Sequence, residues 1–98
     1  MIIAKVHKTQ DGRKVIALCD KELIGKIFEE GNLQLDLTSD FYNGEEMDEN
    51  RIKEEIKDSH VVNVVGEESI KLATKLGIVN EDNVIKIKGI PHVQVVLD

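Results

Sequence analysis

Ninety-eight residues, 41% of them hydrophobic, limit the chain to one domain over residues 1–98 with a single core. A formal net charge of −6 argues against a general phosphate-backbone binder, which needs a basic face, so no general DNA binding is expected, and it leaves room for contact with RNA through a local patch or with a basic protein. One cysteine excludes an internal disulfide, the opening residues lack a signal-peptide layout, and no apolar run approaches the ~20 residues that span a bilayer. The expected setting is cytoplasmic, with no membrane contact.

Isoleucine and valine dominate the apolar set while aromatics are only 3% of the chain, a composition that favours a sheet. Ile2 to Lys8 reads as a strand, Thr9 to Arg13 as a turn around Asp11-Gly12, and Lys14 to Cys19 as the returning strand. Asp20 is placed to cap a helix. Leu23, Ile24, Ile27 and Phe28 would form one face of that helix, and Gly31 would end it. Leu33, Leu35 and Leu37 alternate with polar residues, the pattern of a half-buried strand.

Ser39 to Gly44 is a loop rich in turn residues. The acidic stretch after it carries a thin stripe of Met47, Ile52 and Ile56, which predicts a surface helix over Asp48 to Asp58. Val61 to Val65 is nearly continuously apolar, as in a strand covered on both faces. Gly66 ends it, and a helix over Glu67 to Leu76 follows, with Ile70, Ala73 and Leu76 facing the sheet. A turn at Asn80 to Asn83 leads to a strand over Val84 to Lys88. Gly89 to His92 breaks that strand, and Val93 to Leu97 is the last one. The order β-β-α-β-α-β-α-β-β predicts a single-domain α+β fold, a mixed β-sheet with three helices.

Two strand-to-helix junctions invite chemistry. At Gly66-Glu67-Glu68-Ser69 the free N–H groups of a helix start attract anions, and glycine admits a close ligand. Glu67 and Glu68 oppose a phosphate there and read equally as dipole compensation. No glycine-rich phosphate loop is present, so no nucleotide cofactor is expected. At Cys19-Asp20-Lys21 a thiolate would gain from a helix start and lose from Asp20, and a buried cysteine at a strand end is commonly inert packing. His7, His60 and His92 are scattered and give no metal-ligand pair with Cys19, and the acids near Asp40 and Glu45 read as a solvated face in preference to a magnesium or calcium site, so no metal is expected.

Phe41 and Tyr42 are two of only three aromatics. As an exposed pair they would contact a partner or a base; alternatively Phe41 plugs a sheet edge and Tyr42 covers it. His92 and Gln94 share one face of the last strand, suited to hydrogen-bonding a ligand or to an ordinary edge surface.

Four stretches carry a resemblance: Cys19 to Lys26, Leu35-Asp36-Leu37 with Phe41-Tyr42-Asn43-Gly44-Glu45, Asn63 to Glu67, and Gly89 to Gln94. In these the chain resembles a small archaeal family of uncharacterised proteins, catalogued as a domain of unknown function. The resemblance implies an archaeal cytoplasmic origin and brings no activity, cofactor or catalytic residue.

The leading expectation is a non-enzymatic binding module for a protein or ribonucleoprotein partner, the archaeal resemblance alone suggesting translation or another ribonucleoprotein system. The rival is a small enzyme or ligand receptor in which Cys19, Asp20, Asn63, Gly66, Glu67 and His92 meet at one end of the sheet. A third reading is a structural homodimer joined through the last strand. The shared premise is that the turns after Cys19 and after Val65 open toward a common end of the fold.

Overall fold

A computed structural model of the chain describes residues 1–97. The two branched N-terminal runs form β1 (Ile2–Lys8) and β2 (Lys14–Asp20), paired antiparallel from Ile2–Asp20 to Lys8–Lys14. The turn between them closes with the Thr9 N–H donating to the Arg13 carbonyl at 2.9 Å, and Gly12 takes φ 84°. After β3 (Ile27–Glu30), β4 (Leu33–Asp36) and the short β5 (Glu45–Glu46) comes helix α1 (Glu49–Ile56), capped by the Asp48 carboxylate, which accepts from the Arg51 N–H at 2.9 Å. Then follow β6 (Val61–Val65), α2 (Glu67–Lys75), β7 (Ile85–Ile87) and β8 (Ile90–Val96).

Among the described residues six strands form one mixed sheet in the order β5-β1-β2-β6-β8-β7, in which only the β2–β6 pair is parallel, while β3 and β4 form a separate hairpin. Strand alternation divides the sheet into two faces. Ile16, Leu18, Val62, Val64 and Val93 point to one face and pack with Ile52, Ile56, Leu72 and Ala73 of the helices. Ala17, Cys19 and Val65 point to the other and pack with Leu35 of the hairpin and the flanking Leu23, Leu37 and Tyr42. The sheet is therefore the middle of three layers, a helix layer behind it and a small hairpin in front.

Among the described residues two helices form, not the three expected. Lys21–Leu23 makes a single 3-10 turn, and the residues read as the first helix make β3 instead. Gly25 sits at φ 86°, outside any right-handed helix, and the Asp20 carboxylate that was to cap this helix is used elsewhere. Gly31, expected as a helix stop, takes φ 60° in the two-residue Gly31-Asn32 link between Glu30 and Leu33, which suits a tight hairpin turn.

The expected break at Gly89–His92 also moves. Lys88 (φ 54°) and Gly89 (φ 78°) form the tight turn, and β8 runs on through Pro91. The reason is local. The Pro91 carbonyl accepts from the Gly66 N–H at 2.9 Å, while the Gly66 carbonyl accepts from Ile70 N–H at 2.9 Å, so the N–H that proline lacks is not needed.

Candidate functional site

β2 and β6 run parallel with Cys19 beside Val65, so the turns after both leave the sheet at one end. That premise of the sequence reading is met, but the junction is not vacant. Asp20, 4% exposed, turns to the helix side and caps α2 across 48 residues of chain. Its Oδ2 accepts from the Glu68 N–H at 3.0 Å, and its Oδ1 accepts from the Ser69 N–H at 2.8 Å and the Ser69 hydroxyl at 2.7 Å. Gly66, at φ 103°, supplies no cap of its own, and a β-carbon on it would overlap the Asp20 carboxylate. The anion that this helix start attracts is thus the protein's own side chain. Glu67 is exposed in the same turn, and Glu68 pairs with the Met1 ammonium.

Cys19 is fully buried and its thiol donates to the Asp20 carbonyl at 3.4 Å. Burial, then the charges of Asp20 and Glu22, push the thiol up to about 12. Only about 10⁻⁵ of it would be thiolate at pH 7. His92 lies in the same row of the sheet, but Val65 stands between them. Two strand spacings separate the pair by roughly 10 Å, beyond the reach of a nucleophile and its base. Burial lowers the His92 imidazole below its usual range, and its buried Nδ1 has no hydrogen-bond partner among the described residues.

The aromatic pair is not an exposed one. Tyr42 is buried at 8% exposure, and burial followed by the nearby Cys19 raises its phenol to about 12. Phe41 is half-buried and stacks on His7 with ring centroids 4.6 Å apart and planes at 7°, while Tyr42 meets it edge-on at 5.0 Å. Two hydrogen bonds strap this loop over β1. His7 Nε2 donates to the Phe41 carbonyl at 2.9 Å, and Lys5 Nζ donates to the Asp40 carbonyl at 2.7 Å.

The register brings other candidates together on the hairpin face. Asn63 pairs with Gln94, and Lys5, Ala17, Asn63 and Gln94 form one row across four strands. The next row is His7, Val15, Val61 and Val96. Bonds from Leu97 N–H to His60 O (2.8 Å) and from Gly66 N–H to Pro91 O (2.9 Å) fix the narrow pairs of this ladder at alternate positions. Asn63 and Gln94 are therefore a non-hydrogen-bonded pair, whose side chains stand closer together. The hairpin covers the end of this face holding Cys19 and Val65. Toward the β1–β2 turn the cover stops: Gln94 is exposed, Val96 is 64% exposed, and Lys5, His7, Val15, Val61 and Asn63 are half-buried.

Gly66, Asp20 and Glu67 thus gather at the filled helix start, Cys19 and His92 lie two strands apart in one row, and Asn63 with Gln94 stands open two and three strands from the Phe41 strap on β1. Lys5, His7 and Arg13 join this face, although the residue types alone did not point to them. The signal was their spacing: Arg13 lies on the alternation of Val15, Ala17 and Cys19, and Lys5 and His7 on that of Ile3. A groove of about 700 Å³ between α2 and β7 contains only Glu67 of the candidates. Among the described residues no cluster of three or more histidine, cysteine or acidic side chains is placed to hold a metal ion, and no helix is long and apolar enough to cross a membrane.

Residues 7–97 match the family model described as "Protein of unknown function (DUF424)". Among solved structures, the chain is similar to an uncharacterized conserved protein from Methanopyrus kandleri. The two are 28% identical, with 96% of this chain and 89% of that chain covered and a TM-score of 0.79. No curated protein matches the chain.

Proposed function

The chain belongs to the DUF424 family of proteins of unknown function, and we propose that it works as a non-enzymatic binding module through the uncovered half of its sheet. The Asn63–Gln94 pair carries this reading. Two neutral amides, each both donor and acceptor, stand side by side on an open face backed by a rigid ladder. The enzyme alternative is weaker. Its nucleophile is protonated at neutral pH, its nearest aligned base is two strands away, and its anion cradle holds Asp20.

Affinity capture from native extract tests the proposal. Wild type is compared with Asn63→Ala/Gln94→Ala and with Lys71→Ala on the helix side. A partner lost with the double variant and kept by the control supports it. Equal capture by all three, or none by wild type, overturns it.

A second reading, a homodimer through β8, has its own observation. β7 pairs only with Ile90 to His92, so Val93 to Val96 forms an open edge. Ladder alternation turns the backbone groups of Gln94 and Val96 outward, and no charged side chain lies between Gly89 and Leu97 to blunt the edge. Sedimentation over a wide concentration range decides it. A dimer abolished by Val96→Lys supports the reading, and a monomer throughout removes it.

A further inference from the structure

Resting on the binding-module reading, we propose that this open face takes a single-stranded polynucleotide, with bases over Asn63 and Gln94 and phosphates beside Lys5 and Arg13. Three observations converge on that chemistry.

The first is charge. The chain has 19 acidic and 13 basic side chains, yet no acid stands at a hairpin-face position of β1, β2, β6 or β8. Of the four cations in the first 14 residues (Lys5, Lys8, Arg13 and Lys14), Lys5 and Arg13 alternate onto this face and Lys8 and Lys14 onto the helix side. Lys14 is engaged by Glu55 and Asp58, both at 2.7 Å, on the helix side. Lys5 is held by a carbonyl, so its charge stays available. Arg13 is exposed, touching Asp11 at 3.2 Å and His60 Nε2 at 3.0 Å. The face thus carries Lys5 and Arg13, the latter paired with Asp11, and among the described residues its one strand acid, Glu46 of β5, lies at the far end beside Ile3. This is a cationic margin on an anionic protein that suits one or two backbone phosphates.

The second observation is the centre of the face. An acidic peptide would call for cations there, but the residues are Asn63 and Gln94, whose amides match the mixed donors and acceptors of base edges. Those edges are free in a single strand and hidden in a duplex. The third is the His7–Phe41 stack at the β1 margin, an aromatic surface two strands from Asn63 and three from Gln94 on the same face. The row from Lys5 to Gln94 crosses four strands, roughly 14 Å, enough to lie under a few nucleotides of an extended strand.

With about two phosphate contacts, the salt slope should be only about −1.4, so affinity falls roughly sevenfold between 50 and 200 mM salt. Fluorescence anisotropy with the full chain tests this, using labelled 12-mers of mixed-sequence single-stranded RNA, single-stranded DNA and duplex, with poly-glutamate as the acidic-peptide probe. Binding of a single strand in preference to duplex and poly-glutamate is expected, and the RNA and DNA arms identify the polymer. Lys5→Glu/Arg13→Glu should weaken binding by about tenfold or more and flatten the salt slope. Lys53→Glu/Lys57→Glu makes the same charge change on the helix layer and should leave affinity within about twofold. Asn63→Ala/Gln94→Ala should weaken binding with the slope unchanged. Circular dichroism confirms that each variant is folded.

No single-strand binding at 50 mM salt, equal loss from both charge pairs, or preference for poly-glutamate or duplex overturns the proposal. If capture of a partner still depends on Asn63 and Gln94 after such a failure, the binding-module reading stands without the polynucleotide. Loss of both removes the face as a site.

Discussion

The start of α2 and the open half of the sheet are both places where polar groups meet the surface, and the chain treats them in opposite ways. At the helix start three donors converge, and a carboxylate from a neighbouring strand takes all of them. At the sheet face the Asn63–Gln94 pair is left facing outward, beyond the reach of the hairpin that covers Cys19 and Val65. A concentrated set of donors is too costly to bury unmatched, so folding supplied its partner. Neutral amides at a half-open face carry no such cost and can wait for a ligand.

The sharpest way to break the comparison is Gly66→Ala. The strained φ and the overlap with Asp20 together should remove about 3–4 kcal/mol of stability, read by chemical denaturation. Asp20→Ala should remove about 2–4 kcal/mol, because the Ser69 donors are then buried without an acceptor. A variant at either position that kept its stability and gained anion binding would show the junction to be a ligand site after all.

Cys19 comes next. Raising the thiol from an ordinary value near 9.0 to about 12 makes thiolate about 10³-fold scarcer, so a thiol reagent at pH 7.5 should react only as fast as the protein unfolds. Prompt modification of the native protein would revive the nucleophile. His92 gives a smaller, directional effect. Its neutral form is favoured in the fold, so its contribution is intact above the ordinary value of 6.5 and is lost as pH falls below it. The melting temperature should drop on acidification from pH 7.5 to 5.5, and His92→Gln should reduce that drop. An unchanged drop would mean that other groups govern it. The smallest effect belongs to the open face: Gln94→Ala and Arg13→Gln should each change stability by less than about 0.5 kcal/mol. A larger loss would mean that these side chains hold the fold together instead of waiting for a partner.

Much of the layout was legible before any coordinates. β1, β2 and β6 follow runs of branched residues bounded by turn residues, and α1 shows itself in Asp48 and the stripe of Ile52 and Ile56. The error at Leu23 to Phe28 came from a periodicity that fits a helix face but is also short enough for a strand end. Gly31-Asn32 between apolar runs was the stronger hairpin signal, and Gly25 the breaker. On the site, Asn63 and Gln94 were each named, but their pairing was hidden because antiparallel register joins residues 31 positions apart. Its place in the sequence suits Asp20 to cap the nearest helix, and in the fold it caps a distant one.

By itself, the order of residues determined strands β1, β2, β4, β6 and β7, where α1 and α2 begin, the family, and the surplus of acid over base. Those follow from short-range periodicity, turn chemistry and composition, which act within a few residues. The tertiary structure alone decided which donors Asp20 satisfies, that Lys21 to Asp36 lays a hairpin over one end of the sheet, and which half of that face stays open. These are outcomes of strand register and layer packing, where partners lie tens of residues apart and the choice depends on what the whole core leaves exposed.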